Sequence, residues 1–191
     1  EVHSTGIEFA DRGRDVTVLF GDGAACAILA PTEEEGRGVM DVEVHADGAG
    51  AQELWIEAPA SNQMPRITHE MIDEGRVWPR MNGKQVFRWA TAKMPEAAMS
   101  VLKRNGVSLD QIALLVPHQA NKRINEFVAE KLGLPPEKVM HNIQKYGNTT
   151  AASIPLALSE AIQEGRAKKG DLVLFAAFGA GFTWGAGLVR L

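Results

Sequence analysis

The chain has 191 residues, enough for one sizeable globular domain or for part of a larger protein. Apolar residues make up 45% and charged residues 23% of the sequence, a balance that excludes disordered and fibrous classes. The net charge of -4 argues against a nucleic-acid partner, and no apolar run approaches the roughly 20 residues of a membrane-spanning helix. The single cysteine, Cys26, excludes an intrachain disulfide framework, so we expect a reducing, cytoplasmic setting.

A β-hairpin is the first element that the sequence predicts. Residues 16–20 and 24–29 are short apolar runs separated by a Gly-Asp-Gly turn. Runs this apolar are typical of strands covered on both faces, so Cys26 is expected to be buried and not to act as a nucleophile. We interpret residues 1–31 as the end of a preceding unit, and the missing initiator methionine fits a chain taken from the middle of a longer protein.

Residues 32–83 carry a weaker pattern. One strand is predicted at 39–44, and the scattered glycines and prolines that follow predict loops and short helices. We interpret this range as a connection between two larger units.

Helices and strands alternate after residue 83, which defines residues 84–191 as a third unit. The order α-β-α-β-α-β-β predicts an α/β layered sheet covered by helices. The predicted helices lie at about 86–104, 121–132 and 150–163, and the strands at 112–116, 139–140, 171–177 and 182–189.

Three segments lie at the junctions of predicted strands and helices, where open α/β sheets bind ligands. They are HQAN at 118–121, YGNTT at 146–150 and FGAG at 178–181. Each also has a structural interpretation: a hydrogen-bonded histidine, a helix cap formed by Asn148 or Thr149, and a glycine turn. No two histidines have the i, i+4 spacing of a helical metal site, so we predict no metal.

Together, these segments resemble the C-terminal signature of the β-ketoacyl-acyl carrier protein synthase III family. The resemblance rests on HQAN at 118–121, YGNTTAAS at 146–153 and FGAGFTWG at 178–185, together with RGRD at 12–15 and FGDGA at 20–24, which resemble the end of the family's N-terminal half. It implies a thiolase-like α-β-α-β-α sandwich of two duplicated halves, usually a homodimer, of which this chain is mainly the C-terminal half.

The resemblance also implies decarboxylative condensation, in which an acyl group from acyl-CoA passes to a cysteine and is attacked by malonyl-acyl carrier protein. It implies that His118 and Asn148 are catalytic residues that stabilise an enolate. Phe178 would press on the malonyl carboxylate, and the N–H of Ala180 would help to hold an oxyanion. The thioester substrates would need no cofactor.

Carrier-protein docking is the next implication of the resemblance. Because carrier proteins are acidic, a local basic patch matters more than the net charge. Arg123 and Arg88 match the positions that the family uses for docking, and Lys122 is a further candidate. The alternative for these side chains is a solvated helix face.

The family's nucleophilic cysteine sits at a helix N-terminus that has no counterpart here, and Cys26 does not match it. We therefore expect the chain alone to be inactive and the intact parent to be an acyltransferase that starts fatty-acid synthesis. Two alternatives stay open: another thiolase-like condensing enzyme that primes quinolone or polyketide synthesis, and a non-catalytic domain that dimerises or binds a carrier protein.

Overall fold

The computed structural model describes residues 1–191 and contains a four-stranded mixed sheet with helices on both faces. The strands are β1 (Gly38–Ala46), β2 (Leu54–Trp55), β3 (Arg80–Met81), β4 (Ile112–Pro117), β5 (Leu172–Gly179) and β6 (Thr183–Arg190). The α-helices are α1 (Arg14–Thr17), α2 (His69–Asp73), α3 (Gly83–Arg104), α4 (Lys122–Leu132), α5 (Ile143–Tyr146) and α6 (Ser153–Gln163).

The main sheet has the strand order β1-β6-β5-β4, and β2 and β3 pair separately. β4 and β5 are parallel, whereas β6 runs antiparallel to both β5 and β1. The carboxyl ends of β4 and β5 therefore meet at one edge of the sheet. Two of the three sequence segments singled out for chemistry lie at these two strand ends: HQAN at 118–121 follows β4, and FGAG at 178–181 spans the end of β5.

Burial on both sides of the sheet explains why β4 and β5 are apolar throughout. Successive side chains of a strand point to opposite faces. Leu115 and Leu174 pack in the core beneath α3 and α4, whereas their neighbours Leu114 and Val173 pack in a second, smaller core beneath α6.

The structure confirms the predicted helices and strands after residue 83, apart from the piece at 139–140. That piece forms only an isolated parallel bridge between Val139 and Leu115. The predicted strand at 39–44 is confirmed as part of β1. Residues 48–80 hold mainly short helices and loops as expected, but the short strand pair of β2 and β3 was not predicted. None of the helices is both long and apolar enough to cross a membrane.

The predicted hairpin at 16–29 is wrong. Residues 14–17 form one helical turn, Phe20 makes an isolated bridge with Asn148, and residues 24–29 have no regular structure. A strand needs a partner for its backbone hydrogen bonds, and neither edge of the main sheet pairs with this segment. Cys26 is consequently exposed rather than buried.

One face of the main sheet is covered only in part. α6 packs over β4 and β5, but on the same side Val42 and Val44 of β1 remain 57% and 79% exposed. Val42 lies opposite Gly187 and Val44 opposite Gly185 in β6, so the neighbouring strand has no side chains in this region. We call this region, together with Phe175, the open sheet face; a groove of about 820 Å³ runs along it to the start of α6.

Candidate functional site

His118 follows β4 directly and is held by backbone hydrogen bonds. Its N–H donates to the carbonyl oxygen of Ala176 at 2.8 Å, which extends the pairing of β4 with β5 by one residue. The fully buried side chain of Gln119 fixes the loop, because its Nε2 donates to the carbonyl oxygens of Pro117 at 2.7 Å and Met140 at 3.2 Å. Its Oε1 accepts the N–H of Asn142 at 3.0 Å.

The imidazole of His118 is neutral at pH 7. Burial lowers the pKa of His118 to about 4, because the charged ring would lose hydration. Nδ1 lies 2.6 Å from Oγ of Ser153, the first residue of α6. Nε2 has no hydrogen-bond partner within the chain and is not fully enclosed.

Asn148 is anchored by its backbone and by its amide oxygen. Its N–H donates to the carbonyl oxygen of Leu19 at 2.7 Å, and its carbonyl accepts the N–H of Gly21 at 3.0 Å. The N–H of Thr150 lies 2.9 Å from Oδ1. Because a backbone N–H can only donate, this contact assigns the amide oxygen to Thr150 and leaves the Nδ2 group of Asn148 without a partner in the chain.

Thr150 has a φ of 44°, which is rare for a β-branched residue. It starts the 3-10 turn that leads into α6, and its N–H orients Asn148. Strained backbone of this kind tends to occur at functional sites, where the surrounding structure maintains it. The helix-capping interpretation is wrong, because no side chain caps the 3-10 turn or α6. The oxygen of Asn148 closes a local turn with the N–H of Thr150 instead, and its nitrogen is left over.

His118 and Asn148 line the same cavity, which has a volume of about 230 Å³. Phe178 and Ala180 line it too, so the structure brings all four of these predicted site residues together. Phe178 packs against Phe182 with ring centroids 4.9 Å apart, and the N–H of Ala180 donates to no acceptor in the chain. The further apolar walls come from Leu19, Phe20, Leu54, Met81, Val86, Phe87, Ala120 and Ile124.

This cavity adjoins the groove on the open sheet face. His118, Phe178 and Ala180 line both spaces. A group that occupied the groove would therefore lie next to the polar atoms of the cavity.

The predicted docking residues lie on exposed surfaces of α3 and α4. Arg123 places its guanidinium 6.0 Å from the centroid of Phe87, a cavity wall. Neither Arg123 nor Arg88 forms a salt bridge within the chain, whereas Lys122 lies 3.6 Å from Glu126. Arg88 and Arg123 thus leave uncompensated positive charge on this side of the protein, and Lys122 contributes less.

The sequence interpretation did not identify Ser153 as the partner of His118. Ser153 stands in the YGNTTAAS segment, but a serine at a helix start is also a common helix cap, so its pattern is ambiguous. In the structure its Oγ caps no N–H of its own helix and contacts His118 and the N–H of Gln119 instead.

Family models match both ends of the chain. The model described as 3-oxoacyl-[acyl-carrier-protein (ACP)] synthase III C terminal matches residues 102–191, and the model described as 3-oxoacyl-[acyl-carrier-protein (ACP)] synthase III matches residues 1–48. The chain is 45% identical over 186 residues to a β-ketoacyl-[acyl-carrier-protein] synthase III of Solibacter usitatus, an alignment that covers 96% of this chain and 55% of the relative.

Solved structures show the same similarity. The 3-oxoacyl-[acyl-carrier-protein] synthase III from Aquifex aeolicus VF5 matches with a TM-score of 0.85 and 41% identity, over 99% of this chain and 55% of that one. The priming β-ketosynthase from the R1128 polyketide biosynthetic pathway matches with a TM-score of 0.80 and 32% identity, over 97% of this chain and 53% of that one. The chain spans about half the length of the relatives that it matches.

Proposed function

The chain belongs to the 3-oxoacyl-[acyl-carrier-protein] synthase III family, and we propose that it supplies the histidine and asparagine of a decarboxylating condensation site. The whole protein is then an acyltransferase that condenses an acyl group from acyl-CoA with malonyl-acyl carrier protein to start fatty-acid synthesis. One observation supports this most strongly: His118 and Asn148 line one cavity, and each keeps a nitrogen that is not hydrogen-bonded within the chain.

The reaction needs hydrogen-bond donors at this place. When CO2 leaves a malonyl thioester, the electron pair of the broken C–C bond forms an enolate whose oxygen carries negative charge. Neutral N–H donors stabilise this oxygen, and they are too weakly acidic to protonate the carbanion. The carbanion then attacks the carbonyl carbon of the acyl-cysteine thioester, and the cysteine leaves as a thiolate.

Two further residues have roles in this proposal. Phe178 presents an apolar wall to the malonyl carboxylate, which disfavours the charged group and favours neutral CO2. The free N–H of Ala180 supplies a donor for the oxyanion formed during acyl transfer.

The nucleophilic cysteine comes from polypeptide outside this chain. Cys26 is exposed in a segment without regular structure and does not line the cavity. In a five-layer sandwich, helices of the other half cover the open sheet face and place the cysteine beside His118. We further propose that the whole protein is a cytoplasmic homodimer that needs its thioester substrates but no cofactor.

Arg123 and Arg88 are assigned to carrier-protein docking. Both are exposed and unpaired, and Arg123 lies over Phe87 beside the cavity. An acidic carrier protein bound there would bring its malonyl thioester to the cavity from the side of α3 and α4.

The test compares the two half-reactions in the whole protein with His118→Ala and Asn148→Ala. We expect malonyl decarboxylation to fall by about 10²–10³-fold, while acyl loading onto cysteine, followed by mass spectrometry, changes far less. His69→Ala, which removes an exposed histidine on α2, is the matched control and should change neither step. Equal loss of both half-reactions would contradict the assigned roles.

The 32% identity to a priming β-ketosynthase supports polyketide priming as a second candidate function. To distinguish fatty-acid from polyketide priming, kcat/KM of the whole protein is measured with malonyl groups carried on a fatty-acid carrier protein and on a polyketide carrier protein. The carrier protein with the larger kcat/KM is the partner. Failure to form any acyl-enzyme in the whole protein would instead indicate a non-catalytic carrier-protein-binding domain.

A further inference from the structure

We propose that Ser153 is a positioning residue: its hydroxyl donates to Nδ1 of His118 and thereby holds the ring proton on Nε2, the nitrogen left for the cavity. The tautomer and the contact follow from the structure of this chain alone. The consequence for catalysis rests on the function proposed above.

The direction of the hydrogen bond follows from the groups around Ser153. Ser153 is 1% exposed, and its Oγ has two polar neighbours: Nδ1 of His118 at 2.6 Å and the N–H of Gln119 at 3.3 Å. The N–H of Gln119 can only donate, so it occupies a lone pair of Oγ. The hydroxyl hydrogen then has one acceptor available, which is Nδ1.

The opposite tautomer would leave the hydroxyl hydrogen of Ser153 unsatisfied. A proton on Nδ1 would point at Oγ, and the buried hydroxyl hydrogen of Ser153 would have no acceptor. Nε2 of His118 would then present a lone pair to the cavity. A lone pair repels an enolate oxygen, whereas an N–H stabilises it.

The same contact also fixes where the imidazole lies. Ser153 begins α6, and the loop that carries His118 is joined to Met140 and Asn142 by the hydrogen bonds of the buried Gln119. The hydroxyl therefore connects the end of β4 to the start of α6. Burial lowers the pKa of His118 to about 4, so the ring is neutral and carries a single proton at physiological pH.

The experiment is 15N NMR of the histidine ring nitrogens in the intact synthase, because protonated and unprotonated ring nitrogens have distinct shifts. In the wild type, we expect Nδ1 of His118 to be unprotonated and Nε2 protonated. In Ser153→Ala, we expect both tautomers to be populated. The kcat of decarboxylation should fall by about 10–100-fold, with little change in KM.

Ser153→Cys and Ser159→Ala serve as companion variants. Cys retains a weak donor of similar size, so its tautomer ratio and kcat should lie between those of the wild type and Ser153→Ala. Ser159 is an exposed serine of the same helix, and its replacement by Ala should change neither measurement.

The two proposals fail in different ways. If Ser153→Ala and Ser153→Cys keep the wild-type tautomer and kcat, Ser153 is not a positioning residue, whatever His118→Ala does. If the tautomer changes but decarboxylation does not, the contact is real and the proposed function of His118 is overturned.

Discussion

His118 and Asn148 each commit one side-chain atom to the protein and leave another without a partner. Nδ1 of His118 contacts Ser153, and Oδ1 of Asn148 accepts from Thr150, so the nitrogens Nε2 and Nδ2 are left over. Both residues owe this arrangement to hydrogen bonds made at the start of α6. The result is a pair of neutral donors whose orientation is set before any substrate binds.

The neutral state of His118 makes stability depend on pH. The unfolded chain binds a proton at this ring below pH 6.5, whereas the folded protein does so only near pH 4. The unfolded state therefore binds more protons between these values, and stability falls as the pH decreases from 6.5 to 4.

We expect His118→Gln, which does not titrate, to lose this part of the pH dependence. Between pH 7 and pH 4.5, the free energy of unfolding of the wild type should drop by about 2 kcal/mol more than that of the variant. Urea denaturation at both pH values measures the difference. Parallel pH dependence in the two proteins would show that the ring is not held neutral by burial.

At the scale of elements, the turn between β5 and β6 is attached to the segment after β1. Asp47 and Phe182 exchange backbone hydrogen bonds of 2.8 and 2.7 Å, and Gly50 lies directly against the Phe182 ring. Phe182 is completely buried and packs on Phe178. The position of Phe178, a wall of the cavity, therefore depends on the close packing of Phe182 against Gly50.

We expect Gly50→Ala to lower the free energy of unfolding by about 1–3 kcal/mol, because its Cβ would overlap the Phe182 ring. Gly48→Ala is the control in the same 3-10 turn, since a Cβ there meets nothing within 4 Å. Its stability should be unchanged or slightly higher, because alanine reduces the entropy of the unfolded chain. Equal denaturation midpoints for the two variants would mean that the turn and the Phe182 ring move apart without loss of stability.

The hairpin that the sequence wrongly predicts at 16–29 is also a matter of how elements pair. Residues 24–29 have the composition of a buried strand, but Ile28 and Leu29 are 93% and 84% exposed. Apolar composition indicates what a segment can do, whereas strand formation requires a neighbouring strand with free hydrogen-bonding groups.

For the molecule as a unit, the thiolase-like α/β fold is confirmed by its structural relatives, and the open sheet face is an unpartnered apolar surface. Val42 and Val44 expose apolar side chains next to the cavity that holds the candidate site. The covering proposed above would bury these side chains and exclude water from the chemistry.

Charge at this scale is distributed unevenly. The net charge of -4 would repel the acidic carrier protein proposed above, but Arg88 and Arg123 are unpaired positive charges, and Arg123 lies against the cavity wall. Local complementarity of this kind governs encounter rates more than net charge does.

We expect Arg123→Glu in the whole protein to lower kcat/KM for malonyl-acyl carrier protein about tenfold, and to affect malonyl-CoA less. Lys103→Glu makes the same charge change in the last turn of α3 and should leave both values close to wild type. Added salt should reduce the Arg123→Glu effect, because screening weakens the interaction. An equal effect on both substrates would remove Arg123 from docking.

The sequence was enough to predict α3, α4, α6 and the strands β4 to β6, because apolar periodicity is a local property that these elements satisfy with their own residues. It also identified four residues that line the cavity, through the family resemblance of short motifs. The contact of Ser153 with His118, 35 residues away, and the exposure of Cys26 emerge only in the folded chain. Both depend on which distant groups become neighbours, and a hydrogen bond or a buried strand exists only when its partner has been brought beside it.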